Sequence, residues 1–111
     1  GTGNLLVAAD EFLQTFKKYP KLKLNKKLHA TLGNALIRDC RFQEGAQVYE
    51  RYLKQHGDAH DRGEIALLLI AKYCRNLDNK QRGEELLEEY QSMFSEKHAL
   101  LVATLTEELR S

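Results

Sequence analysis

Two helical stripes that meet across one short break constrain this chain more than anything else in it. Leu28, Leu32, Leu36 and Ile37 recur at three- and four-residue spacing, and Ala46, Val48, Tyr49, Tyr52 and Leu53 do so again. Asp39-Cys40-Arg41 separates them as a short polar break. Apolar residues at this spacing mark one face of a helix, and two such stripes joined by a few residues make a helical hairpin. Gly33 and Gly45 lie inside the patterns, where each costs roughly 1 kcal/mol against Ala. The reason expected is close approach of a second backbone, with Leu32 and Tyr49 flanking the contact.

The pattern recurs. Shifted by 38 positions, residues 66–95 fall beneath 28–57: Gln43 meets Gln81, Gly45 meets Gly83, Glu50 meets Glu88, and Tyr52 meets Tyr90. Leu32 meets Ile70, Gly33 meets Ala71, and Val48-Tyr49 meets Leu86-Leu87. Shifted by 37 the other way, 8–20 falls over 45–57, pairing Ala9 with Ala46, Phe12 with Tyr49, Lys17 with Lys54, and Pro20 with Gly57. A period in the thirties is what helical solenoids show. Gly45 and Gly83 are both expected where the two helices of a hairpin touch.

Leu32-Gly33, Leu36, Phe42, Gly45, Tyr49 and Tyr52 together resemble a tetratricopeptide repeat, and the resemblance covers about four-fifths of the chain. Gly45 stands where that family usually has Ala. The departures are His29, where the family often has Trp, and Gly57, where it often has Pro. The resemblance implies an all-α fold of about six helices, in antiparallel hairpins stacked as a short right-handed solenoid. Its parts would be a half repeat at 4–20, repeats at 24–57 and 60–95, and a capping helix at 96–110.

The chain's 111 residues suit a single domain with one core. Its longest apolar run, Ile65 to Ala71, is far short of a membrane span, and no signal peptide is visible. Gly1-Thr2-Gly3 reads as a cloning scar on a fragment of a longer protein. The net charge of +1 argues neither for nor against nucleic acid. Two cysteines, Cys40 and Cys74, make no disulfide framework; they fall in different repeat registers and read as buried, inert thiols. The compartment stays open, with the cytoplasm favoured.

Helices are predicted over 4–18, 26–39, 42–56, 62–77, 79–94 and 96–110. The first carries Leu6, Ala9, Phe12, Leu13 and Phe16 as an apolar stripe whose usual partner helix is absent. Three covers are open: a longer array, self-capping, or a second copy in a weak homodimer. Residues 17–27, KKYPKLKLNKK, hold six Lys and no acid, with Asn25 as an N-cap for the next helix. Clustered Lys can bind phosphates, but a loop with one aromatic, Tyr19, lacks the interleaved rings of single-strand binders. A solvated connector is the plainer reading. His56 and His60, with Asp58 and Asp61, could be read as zinc ligands, but loop polarity and an N-capping Asp account for them better. Ile65, Ala66, Leu68, Leu69 and Tyr73 make the fourth helix apolar on most sides, as in a sandwiched helix. Asp78 or Asn79 caps the fifth, whose core face is Leu86, Leu87, Tyr90 and Phe94 and whose Glu84, Glu85, Glu88 and Glu89 form a solvated face. Ser95 caps the last, which carries Ala99, Leu100, Val102, Ala103, Leu105 and Leu109.

No nucleophile elbow, Cys-x-x-Cys, phosphate loop or His-Glu-x-x-His is present. The acids sit on helix surfaces beside Lys and Arg, so neither an enzyme nor a cofactor or metal site is expected. The expected role is a protein–protein interaction scaffold. By the family's layout, Lys27, Ala30, Asn34, Ile37 and Arg38 would line the concave surface, with Leu68, Lys72, Arg75 and Asn76 from the next repeat. Such a mildly basic lining suits a peptide with acidic residues and an apolar anchor. The plain alternative is that these are ordinary exposed helix faces. A grip on chaperone-tail carboxylates lacks most of its donors, since only Asn34 fits that layout and Ala30, Ile65 and Leu69 stand where others would be. The alternatives are an anionic-surface binder using the 17–27 lysines, toward nucleic acid or acidic lipid, and a soluble structural module of a larger assembly or membrane protein.

Overall fold

A computed structural model describes residues 2–111 and divides them into two compact units, Gly1–Gly57 and Asp58–Ser111. Gly1, part of the expected scar, lies outside the described residues. The described residues form six α-helices and no strand.

The first unit contains α1 (Thr2–Lys18), α2 (Lys26–Arg38) and α3 (Phe42–Gln55), with α2 packed against both α1 and α3. The apolar stripe of α1 is filled within the unit. Ala9, Phe12 and Phe16 are buried with Leu32, Leu36 and Val48, and Leu22 and Leu24 of the connector pack onto them. Of the three covers left open for this stripe, the unit's own α2, α3 and connector fill the part formed by Ala9, Phe12 and Phe16. Asn25 caps α2 as expected, its side chain accepting from the backbone N–H groups of Lys27 and Leu28.

Both interior glycines of the first hairpin sit at helix contacts. A methyl group on Gly33 would lie 2.5 and 2.6 Å from two Tyr49 ring carbons, and one on Gly45 would lie 2.5 Å from Ile37 Cδ1. The α2–α3 turn passes through Cys40 in the left-handed region, φ 60°. That conformation lets Arg41 N–H reach the Leu36 carbonyl at 2.9 Å, closing the end of α2. Cys40 is exposed, and Cys74, on the fourth helix, is half-buried, which corrects the expectation of buried thiols. A tight left-handed turn points its side chain to solvent, whatever the residue's apolar character.

The second unit contains α4 (Arg62–Arg75), α5 (Lys80–Tyr90) and α6 (Ala99–Arg110), each packed against the other two. Its hairpin turn passes through Asp78, also left-handed at φ 48°, and Asp78 stands 38 residues after Cys40, the spacing read in the sequence. Asn79 supplies the cap, accepting from Arg82 N–H. Gly83 also faces the other helix of its hairpin, with an added methyl 3.8 Å from Ile70 O and 3.9 Å from Tyr73 Cβ, but its nearest neighbour is Leu109 of α6 at 3.0 Å.

Four expectations fail in this unit. The fifth helix ends at Tyr90, and a single 3-10 turn (Gln91–Met93) follows. Here the chain crosses α4 so closely that a methyl on Gly63 would lie 2.5 Å from Met93 O, so the backbone bends where the sequence pattern runs on. Ser95 makes no capping bond, because a second 3-10 turn (Glu96–His98) precedes α6. In α6 Leu105 and Leu109, four apart, are buried on one face, while Leu100 lies off that face and is 81 % exposed. Asp61 stands at the N-cap of α4 without a side-chain capping bond. Elsewhere the stripes hold: α4 buries Ile65, Ala66, Leu67, Leu69, Ile70, Ala71 and Tyr73. The α5 acids Glu84, Glu85, Glu88 and Glu89 face solvent.

Candidate functional site

On α2, Lys27, Thr31, Asn34 and Arg38 follow the three- and four-residue spacing that places them on one row. Lys27 and Arg38 are exposed, while Ala30, Asn34 and Ile37 are half-buried. Asn34 is engaged within the hairpin, its Oδ1 accepting a hydrogen bond from the Tyr49 hydroxyl. Burial of that phenol pushes its pKa up to about 12, so at neutral pH it keeps its proton and donates. Beside this bond, Asn34 still offers its amide N–H groups and the second lone pair of Oδ1. Ile37 covers Gly45 and is spent mainly on the hairpin contact.

On α4, Glu64, Leu68, Lys72 and Arg75 form the corresponding row. Leu68 is 43 % exposed in a helix that otherwise buries its apolar residues. Arg75 is exposed but held in a fork by Glu108 of α6, with Nη2 to Oε2 at 2.8 Å and Nε to Oε1 at 3.1 Å. The hydrogen bonds from Arg75 hold the Glu108 carboxyl below the usual carboxylate range, and Glu108 in turn raises Arg75. A partner must compete with Glu108 for this guanidinium. Asn76 is exposed at the C-cap of α4. Glu108 was invisible to the sequence argument, since it lies 33 residues from Arg75 and reads as one more acid on a helix end.

The 17–27 connector is an ordered strap. Leu22 and Leu24 turn inward while Lys21 and Lys23 turn out, and Lys17, Lys18, Lys26 and Lys27 are also exposed. Arg51 on α3 donates to Pro20 O at 2.6 Å and lies over the Phe16 ring, 3.9 Å from its centroid. Gln55 donates to Leu22 O at 2.9 Å.

A buried aromatic and imidazole cluster, which residue spacing does not reveal, lies inside the first unit. His29 is 0 % and His56 2 % exposed. His29 packs edge-on against Phe12 and Tyr52, with ring centroids 5.1 and 5.4 Å away. Its Nε2 lies 2.8 Å from Val48 O, and its Nδ1 lies 3.3 Å from His56 Nε2. A carbonyl only accepts, so His29 carries its proton on Nε2 and leaves Nδ1 to accept from His56 Nε2–H. Burial lowers the His29 pKa to about 4; the neighbouring His56 and Arg51 push the same way, against the Val48 hydrogen bond. This corrects the reading of His56 as loop polarity. The signal available was His29 itself, standing at a register where an aromatic was expected. His60 is exposed and does not join His56. Among the described residues no group of three or more His, Cys, Asp or Glu could hold a metal ion.

The other perturbed groups belong to ion pairs. Arg41 binds Glu44 and Asp10, tying the α2–α3 turn to α1, and its hydrogen bond lowers the Glu44 carboxyl. Lys97 lowers Glu64 in the same way. No protein-family model, curated protein or solved structure matches this chain. No helix among the described residues is long and apolar enough to cross a membrane.

Proposed function

We propose that the chain is a non-catalytic protein-interaction module of tetratricopeptide-like character, whose two hairpins are repeats of one kind. Three features support the repeat relation. The left-handed turns at Cys40 and Asp78, the contact glycines Gly45 and Gly83, and the buried Tyr52 and Tyr90 all recur at the 38-residue offset. The observation that carries the functional reading is Leu68. It is an exposed leucine at the centre of a well-buried helix, on one row with Lys72 and Arg75. An apolar anchor beside two cations suits a peptide that pairs an apolar side chain with carboxylates, in the manner of partners that dock on a helix face. Lys27 and Arg38 on α2, with the Asn34 amide and the α4 C-cap Asn76, extend the same chemistry on each hairpin's first helix. The partner is a protein or peptide, and neither a cofactor nor a metal takes part.

Peptide display against the folded chain tests this. Enriched sequences should combine Asp or Glu with a large apolar residue and should bind Leu68→Ser at least tenfold more weakly than the parent. Enriched peptides without acids, or binding that ignores Leu68→Ser, would defeat the reading.

A further inference from the structure

The basic strap of the first unit carries a second interaction surface. We propose that residues 17–28 dock this chain onto anionic lipid bilayers.

Charge comes first. Lys17, Lys18, Lys21, Lys23, Lys26 and Lys27 are all exposed, and no acid lies between 17 and 28. Among the described residues, Lys17, Lys18, Lys21, Lys23 and Lys27 take part in no ion pair. They contrast with Arg41, Arg75 and Arg82, each of which is matched to a carboxylate. The unfilled cations of this unit are thus concentrated on one short stretch.

Rigidity comes next. Leu22 and Leu24 anchor the stretch in the core, and Arg51 and Gln55 hold the carbonyls of Pro20 and Leu22. Asn25 fixes the start of α2 just beyond. The ammonium groups are presented on a preset backbone, so docking orders side chains and little else.

The choice of occupant rests on what accompanies the charge. The exposed large apolar residues of the first unit are Val7, Tyr19 and Leu28, and two of the three lie on the strap or at its end. Tyr19 is 64 % exposed. A ring with a polar tip, a leucine and clustered lysines match a headgroup layer, which offers negative charge above an apolar boundary. Nucleic acid fits less well. The stretch contains no Arg to make bidentate phosphate or base contacts. Its single exposed ring gives no row of stacking platforms. The interaction is peripheral, since no helix among the described residues can span a membrane.

Each lysine close to an anionic leaflet strengthens binding about fivefold, so removing two charges should weaken it roughly 25-fold. The experiment is co-sedimentation of the full chain with phosphatidylcholine vesicles, with and without phosphatidylserine, at low and high salt. The same chain is titrated with single-stranded RNA and duplex DNA oligonucleotides. Lys21→Gln/Lys23→Gln and Tyr19→Ser are the variants, and far-UV circular dichroism checks their helix content. The expected result is binding to the anionic vesicles alone, weakened by salt and by the double lysine variant. Tyr19→Ser should weaken it by a factor that persists at high salt. The proposal is overturned by equal binding to neutral and anionic vesicles, by no vesicle binding, or by a folded double variant that binds like the parent. Tighter binding to either oligonucleotide than to anionic vesicles at the same salt also overturns it.

Discussion

Lowering the pH from 6.5 to 4 should protonate His29 in the unfolded chain while the folded chain keeps it neutral. The sign follows from linkage. The folded pKa, about 4, lies below the ordinary imidazole value of 6.5, so across this window the unfolded state binds the extra proton and stability falls as the pH falls. Above 6.5 both states are neutral and the group contributes no slope. Below 4 both are charged and the loss is complete. A gap of 2.5 pKa units, from 6.5 to about 4, corresponds to about 3 kcal/mol lost across the window. That is a large part of the roughly 5–15 kcal/mol that holds a typical domain together. The assay is urea unfolding of the parent and of His29→Phe at several pH values in that window. Phenylalanine keeps a ring against Phe12 and Tyr52 but gives up the bonds to Val48 O and His56, so it should cost about 1–3 kcal/mol at neutral pH. The parent should then lose stability faster than the variant as the pH falls, and the gap should close or reverse by about 3 kcal/mol. Subtracting the two curves cancels the carboxylates common to both. Parallel curves would refute the reasoning, since they would mean that His29 titrates alike in both states.

The two contact glycines of the first hairpin should respond differently to Ala. At Gly33 the methyl meets the ring of Tyr49, which is buried and hydrogen-bonded to Asn34, so Gly33→Ala should cost about 1–2 kcal/mol even after the helix-propensity gain. At Gly45 it meets Cδ1 and Cγ1 of the half-buried Ile37, 2.5 and 2.9 Å away, a side chain with more room to shift than the fully buried Tyr49 ring, so Gly45→Ala should fall within about 1 kcal/mol of the parent. Thermal midpoints in the opposite order would show that Tyr49 yields more easily than Ile37. Cys40→Gly should raise the thermal midpoint by a few degrees, because it relieves a left-handed non-glycine residue at a cost of about 1–2 kcal/mol, partly offset by unfolded-state entropy. A lowered midpoint would mean that the Cys40 side chain contributes more than its backbone strain removes.

The sequence carried the helices because each core stripe is a local pattern. It also carried the glycine contacts, since a glycine inside a helix needs a neighbour to explain it. Asn25 and Asn79 were legible as caps for the same local reason. What escaped was non-local. Gln91-Ser92-Met93-Phe94 follows Tyr90 with no helix breaker in the pattern, and the crossing of Met93 over Gly63 ends the helix there. Leu100 looked like core, but the buried face of α6 is set by Leu105 and Leu109, and Leu100 lies off it. The Arg75–Glu108 fork and the His29–His56 pair join residues 33 and 27 apart, beyond any helical spacing. For the candidate site, Lys27, Arg38 and Arg75 are exposed while Lys72 is half-buried. The sequence could not show that Asn34 and Arg75 already have partners.

The central claim, that the first helix of each hairpin receives a peptide partner, is tested most directly by amide shift mapping. The isotopically labelled chain would be titrated with the acidic, apolar-anchored peptide that display selects. The account predicts shifts on α4 around Leu68, Lys72 and Arg75, with a second set on α2 near Lys27, Asn34 and Arg38. Shifts confined to the 17–25 strap or to the outer faces of α1 and α6, with α2 and α4 silent, would contradict it.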